Sequence, residues 1–397
     1  MRSRRLLGVV AVGSGLLLMT TACSSSTTAG GTFTPPSLSA PTALPALGNE
    51  LNILAWPGYA EDGSTDKAVD WVTPFEKDTG CKVKVKTFGT SDEAVNLFKG
   101  GGYDTISMSG DASLRLIASG DVEPVNVDLV PNYKDIFPDL KDQPWNTVSG
   151  VNYGIPHGRG ANLLQYNTKV VSPAPTSWAS TFAPSGDKYK GKITGYDTPI
   201  FIADAANYLR VAQPDLKITN PYALDETQLN AAVDLLKAQK PLISEYWSDY
   251  TKQVSSFKSG NTVLGFTWQV NANLASADGV PVNAIKPKEG ATGWSDTWGI
   301  AAKSPNKGCA YAWANYVVSP KVNAEVAEWF GEAPANEKSC AQTANKDHCK
   351  QFHAADTAYW KDVYYWTTPI EKCLDGRTDV KCTDYNAWTQ KWTEIKG

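Results

Sequence analysis

LNILAWPGYAEDGSTDKAVDWVTPFEKDTGCKVKVKTFGTSDEAVNLFKGGGYDTISM, residues 51–108, decides the fold. Leu51–Ala55 is a short apolar run that reads as a strand. Val69, Val72 and Phe75 recur at three-residue steps through 66–79 and stop at Gly80, the pattern of a helix with a glycine stop. Lys82–Phe88 alternates Val83 and Val85 with Lys82, Lys84 and Lys86, a half-buried strand. Ser91 opens a helix that runs to Lys99. Asp104–Met108 is the next strand, and a helix follows near 111–119. This β-α-β-α-β-α order implies parallel strands joined by right-handed crossovers.

The same rhythm returns downstream. Strands are expected at 162–166, 191–196, 263–268 and 296–301, with helices near 200–212, 226–239 and 249–259. Residues 307–331 and 353–396 read as mainly helical. Two α/β units result. In open α/β sheets ligands bind at the carboxyl ends of strands, and a cleft between two such lobes is a natural ligand site.

Upstream of residue 50 the chain does not read as fold. Arg2, Arg4 and Arg5 precede an apolar run from Leu6 to Met19, too short to span a bilayer, and then Thr20-Thr21-Ala22-Cys23. Residues 1–22 are therefore expected to be a secretory signal. Cys23 after the small residues resembles a bacterial lipobox, with Thr20 in place of the usual Leu, so lipidation of Cys23 is expected. Residues 23–49, rich in Ser, Thr, Pro, Gly and Ala, read as a flexible tether. Two acyl chains on one cysteine give stable anchoring at the outer face of the membrane.

Composition bounds the partners. Lys and Arg total 37 against 41 Asp and Glu, a net charge of −4, so nucleic acid is not an expected partner. The aromatic content is high, with 14 Trp and 17 Tyr. Three His leave little scope for His-based catalysis or metal binding, and no cofactor or metal is expected. With Cys23 set aside, Cys81, Cys309, Cys340, Cys349, Cys373 and Cys382 form an even set, which outside the cytoplasm reads as disulfides. Spacing suggests Cys340–Cys349 and Cys373–Cys382, leaving Cys81 with Cys309. Zinc held by Cys340, His348, Cys349 and His353 is the rival, but the spacing fits no finger or ribbon.

Catalytic motifs are wanting. Gly186–Ile193 nearly makes a phosphate loop, but Ile193 stands where the Mg²⁺-binding hydroxyl is needed. No nucleophile elbow or zinc-protease motif is present. An extracytoplasmic hydrolase using carboxylates stays open, because such pairs are recognised only in space.

Three segments combine aromatic and polar residues at strand ends: Trp56-Pro57-Gly58-Tyr59, Phe266-Thr267-Trp268 and Gly293-Trp294-Ser295-Asp296-Thr297-Trp298. Aromatic faces attract organic cations, by about 0.5–2 kcal/mol each, and a carboxylate fixes an ammonium by a charge-assisted hydrogen bond. Together they suit an amine.

These segments, with Phe75–Gly80, Tyr103-Asp104, Tyr153–Pro156, Thr176–Trp178, Tyr189–Lys192 and Pro287–Gly290, resemble the periplasmic spermidine/putrescine-binding proteins, solute receptors of ABC importers. The resemblance covers most of residues 50–340. It implies a two-lobed periplasmic-binding-protein fold, type II-like, each lobe a mixed, mostly parallel sheet flanked by helices. One lobe would comprise 50–166 with about 296–365, the other 167–295 with about 366–397. It implies a monomeric receptor, not an enzyme, that serves ABC permease subunits.

Carried over residue by residue, Trp56, Tyr59, Trp268 and Trp294 match the family's aromatic box, Asp296 its amine-binding carboxylate and Ser109 a polar cleft position. Thr198 and Phe201 stand where the family has a further acidic pair. Asp111 and Glu332 stand where it has tyrosines, and Arg159 where it has an aromatic. All three are expected at the ligand. Arg159 either grips a ligand carboxylate, which would favour an ω-amino acid such as GABA or an opine-like compound over a polyamine, or forms an internal ion pair with Asp111 or Asp197.

Overall fold

A computed structural model describes residues 33–183 and 188–397. The signal segment, Cys23 and Gly186 lie outside the described residues. The strands are β1 (Glu50–Ala55), β2 (Lys82–Thr87), β3 (Thr105–Met108), β4 (Thr147–Val148), β5 (Val151–Asn152), β6 (Ile155–Ala161), β7 (Leu163–Asn167), β8 (Ile193–Tyr196), β9 (Ile243–Trp247), β10 (Leu264–Thr267), β11 (Val282–Ile285), β12 (Ala291–Ile300), β13 (Ala333–Pro334) and β14 (Val363–Tyr365). The larger sheet runs β13-β6-β12-β3-β1-β2, with β14 on β12; the smaller runs β11-β7-β10-β8-β9.

The opening β-α-β-α-β reading holds at the level of pairing: β1 is parallel to both β2 and β3. Its first helix starts later than the periodicity suggests, at Val72. Asp66 and Asp70 each bind a nearby backbone N–H with a carboxylate oxygen, which favours turns over helix. Gly80, at φ 77°, ends that helix in the left-handed region. Both sheets are mixed: β12 is antiparallel to β3 and β6, while β7 is antiparallel to β10 and β11. β12 is buried along its whole length, so no alternation marks its start, and it begins at Ala291, not 296.

The chain passes between sheets at 161–163 and again between Ile285 and Ala291. Residues 163–166 thus pair in the smaller sheet, and 291–295 in the larger, a few residues from the expected boundaries. The stretch 353–396 is not mainly helical. It holds the short helix Thr357–Trp360, β14, an irregular stretch across Cys373–Cys382 and the helix Tyr385–Lys396. Its aromatic spacing is set by contacts with two different sheets, which no single period describes.

Residues 33–49 are not free tether. Phe33 packs against the main core, Pro41 O accepts from Asn126 Nδ2 at 3.0 Å, and Ala46 lies against Gly308 so closely that a Cβ there would clash. Proline-rich extended chain can lie on a surface in this way because it needs few backbone partners. Cys81–Cys309, Cys340–Cys349 and Cys373–Cys382 are joined as disulfides, which consumes the thiols a zinc site would need. Cys81 closes on the helix Lys307–Val317, tying it to the start of β2.

Candidate ligand site

Three strand ends and the middle of β12 deliver the site. The turn after β1 places Trp56 and Tyr59, and Gly58 lies at φ 95°, where a Cβ would press on Phe330. Ser109 follows the end of β3 and precedes the helix Gly110–Ser119. Trp294 and Asp296 are two apart on β12 and so share a face. Trp294 covers Gly160 of β6, where a Cβ would fall 2.3 Å from the indole. From the smaller sheet, Trp268 follows β10 and precedes the helix Gln269–Ala277.

Trp56, Ser109, Trp268, Trp294, Asp296, Phe330 and Trp366 line one inner cavity. Its free volume is about 10 Å³, on the order of one water. The indoles of Trp56 and Trp268 meet edge to face at 5.8 Å, and those of Trp268 and Trp366 at 6.3 Å. Beyond Trp56, Trp268 and Phe330 opens a mouth of about 440 Å³, lined also by Phe88, Glu93, Asp249 and Tyr250.

Asp296 is the polar centre. Ser109 Oγ donates to its Oδ1 at 2.6 Å, and Trp56 Nε1 donates to that Oγ at 3.1 Å. Tyr59 Oη lies 2.8 Å from Asp296 Oδ2 and 3.0 Å from Glu332 Oε2. Burial pushes the Asp296 carboxyl up to about 7, against the two hydroxyl donors that favour its anion. Glu332, fully buried and facing Asp296, is pushed well above the carboxylate range, and burial also keeps the Tyr59 phenol protonated. Behind Glu332 lies His157. Burial lowers its imidazole to about 3, so it is neutral, and its Nδ1 accepts from Trp298 Nε1 at 3.0 Å.

The expected site residues divide. Trp56, Ser109, Trp268, Trp294 and Asp296 come together around the cavity, and Tyr59 stands directly behind Asp296. Glu332 is one residue further back and does not line the cavity. Asp111 does not either: it accepts from Ser91 Oγ at 2.7 Å, and burial raises it to about 6.

Arg159 is elsewhere. Its guanidinium pairs with Asp139 at 2.6 Å, donates to Ala354 O at 2.7 Å and lies over the Trp360 ring at 4.4 Å. The internal ion pair is therefore real, but its partner is neither Asp111 nor Asp197. β6 alternates faces, so Gly158 and Gly160 approach Glu332 and Trp294 while Arg159 points to the opposite side.

Phe330, Trp366 and His157 are not among the expected site residues, and Trp298 is expected only as part of its aromatic segment. Trp366 stacks on Tyr196 at 5.7 Å and comes from the C-terminal stretch, beyond the motifs quoted above for residues 50–340. The only sequence signal was the surplus of tryptophan. Thr198 and Phe201 have no role at Asp296; Phe201 packs on Phe266 at 4.5 Å within the smaller lobe.

Residues 70–352 match the family of bacterial extracellular solute-binding proteins. The spermidine/putrescine-binding periplasmic protein of Escherichia coli is 27% identical over 292 residues, 72% of this chain and 78% of the relative. The putrescine-binding periplasmic protein SpuD of Pseudomonas aeruginosa is 25% identical over 362 residues, 87% of this chain and 91% of that one. Among solved structures, the spermidine/putrescine ABC transporter substrate-binding protein PotD of Streptococcus pneumoniae superposes with a TM-score of 0.67 at 20% identity, covering 88% of this chain and 98% of the other. That likeness carries the two-lobed fold.

Proposed function

The chain belongs to the bacterial extracellular solute-binding proteins, and from that premise we propose that it is the extracytoplasmic receptor of an ABC importer for a small amine, of the polyamine class. One observation carries the ligand class. Asp296 is buried among Trp56, Trp268, Trp294 and Trp366, and its polar neighbours among the described residues are Ser109 and Tyr59, not a Lys or Arg. A carboxylate held dry without a protein cation is completed by an ammonium, and indole faces suit the alkyl chain that carries it. The ligand-binding set is Trp56, Ser109, Trp268, Trp294 and Asp296, with Tyr59 orienting the acid.

The inner cavity is too small for an alkylamine as the lobes stand. Entry therefore requires Trp56 and Trp268 to part, a hinge opening between the two sheets. Closure around the solute then presents the pair of lobes to permease subunits. The receptor acts as a monomer, tethered through a lipid on Cys23, and makes or breaks no bond. A zwitterionic ω-amino acid is less well supported, because Arg159 is engaged by Asp139 and lies away from Asp296.

Isothermal calorimetry and thermal shift of the soluble body against polyamines, monoamines, ω-amino acids, betaines and sugars test this reading. A receptor gains stability as RT ln(1+[L]/Kd) with the amines. No response to any amine, or a response confined to sugars, overturns it.

A further inference from the structure

Tyr59 Oη carries one proton and touches two acids, Asp296 at 2.8 Å and Glu332 at 3.0 Å. It can donate to only one of them. If both were ionised, the other contact would set two lone pairs against each other in a site without solvent, a costly arrangement. One acid must therefore hold a proton and donate it to Tyr59.

The neighbours decide which. Ser109 Oγ accepts from Trp56 Nε1, so its own proton points at Asp296 Oδ1. Asp296 thus receives two donors when Tyr59 also turns to it, as suits an anion. Among the described residues the Glu332 carboxyl has no hydrogen-bond partner but Tyr59. Its Oε1 faces His157 Nε2 at 3.4 Å, and neither atom has a closer polar partner among the described residues. Because Trp298 Nε1 donates to His157 Nδ1, the neutral ring carries its proton on Nε2, directed at Glu332. His348, the other titratable group packed here, binds the Glu332 backbone carbonyl through Nε2 at 2.8 Å and leaves the carboxyl untouched.

We propose that Glu332 is a positioning residue held as the neutral acid, donating through Tyr59 to Asp296, so that the inner end of the cleft offers one negative charge and takes one ammonium. Hydrogen bonds join Glu332 through Tyr59 to Asp296, Ser109 and Trp56 close on Asp296 from the other side, and His157, fixed by Trp298, faces Glu332 Oε1 at 3.4 Å without a formed hydrogen bond. A second ammonium on the same ligand finds no second anion inside and stays in the open mouth. Specificity at the inner end is thus for a single protonated amine head.

This rests on the amine reading for its ligand consequence, but the protonation state is read without ligand. Difference infrared spectra of ligand-free wild type against Glu332→Gln at neutral pH should contain the carbonyl stretch of a protonated carboxylic acid. A carboxylate signal in its place overturns the proposal even if amines bind. Gln reproduces the pattern, with Nε2 donating to Tyr59 and Oε1 accepting from His157; Ala cannot. Using putrescine as the probe, Glu332→Ala should weaken binding about tenfold, one neutral hydrogen bond's worth, and Glu332→Gln should rescue most of that loss. Equal loss in both variants, with melting temperatures showing both folded, overturns the proposal. If wild type binds no amine, the functional reading fails while the infrared result still decides the state of Glu332.

Discussion

Trp56 and Trp268 reach the same cavity from different sheets and meet edge to face at 5.8 Å. The contact joins the lobes at the point where a ligand would enter. Trp268 is also flanked by Trp247 at 4.9 Å and Tyr196 at 5.2 Å, so the smaller lobe holds its half of the gate in place. Replacing Trp268 by Ala removes one wall of the cavity, and so of the proposed amine cage. Affinity for putrescine should fall by about 1–2 kcal/mol, roughly tenfold, in calorimetric titration. The tryptophan fluorescence change on binding should shrink with it. An unaltered Kd would remove Trp268 from the ligand.

Asp296→Asn keeps the shape of the side chain and removes its charge. Truncating one partner of a buried, hydrogen-bonded charge pair costs about 2–5 kcal/mol in binding. Amine affinity should therefore drop at least about thirtyfold. The ligand-free variant should be no less stable than wild type near pH 8, because an unpaired buried charge is gone. Retained affinity would place the ammonium elsewhere.

Binding should depend on pH through the same group. In the proposed site an ammonium pairs with ionised Asp296, whose carboxyl burial pushes up to about 7 in the ligand-free protein. Below that value the ligand must displace a proton. Affinity should fall toward a limit of about tenfold per pH unit as pH drops below about 7, and flatten above it. Titrations between pH 5.5 and 8.5 with a primary diamine measure the slope. A flat profile would mean that Asp296 is already ionised across the range or is not used.

Stability of the ligand-free protein should run the other way. Asp296 and Asp204 are raised to about 7, Asp111 to about 6, and Glu332 well above the ordinary carboxylate range, each chiefly by burial. An acid raised on folding stabilises fully below its unfolded value, and that stability is lost as pH rises through the folded value. His157, lowered to about 3, and His348, also lowered, oppose this only below their unfolded value of about 6.5. Melting temperature should therefore rise by at least about 2 °C from pH 8 to 6.5 and gain less below. A lower melting temperature at pH 6.5 than at 8 would contradict the burial of these acids.

The first three strands were legible because their signals are local: Gly80 stops a helix, and Val83 and Val85 alternate with lysines. Trp56 was legible as cavity lining because it follows a strand end, whereas Trp294 and Asp296 lie within β12 and were legible through the family resemblance. Other features were not. Glu332 and His157 matter through contacts that span β6, β12 and the turn after β1, and no spacing in sequence encodes them. Trp366 enters the cavity from a stretch whose irregular path is set by β14 and a disulfide. The direction of Arg159 depended on which face of β6 it takes. That was fixed by Gly158 and Gly160, whose missing side chains make room for Glu332 and Trp294.

Arg159 accordingly gives a prediction about stability, not ligand choice. Its side chain is 1% exposed, paired with Asp139 and bonded to the Ala354 carbonyl, with Trp360 and Phe137 beside it. Arg159→Ala leaves that buried carbonyl without its donor and opens space beneath Trp360. Because the Asp139 side chain is 40% exposed, water can solvate the carboxylate left behind, which limits the penalty. A loss of about 2 kcal/mol is expected, from the orphaned carbonyl and the lost packing. Denaturant unfolding measures it. The preference between a diamine and an ω-amino acid of equal length should stay within about twofold of wild type, well under the tenfold that 1.4 kcal/mol represents. Selective loss of the ω-amino acid would instead put the guanidinium at the ligand carboxylate, and would require the lobes to rearrange around β6.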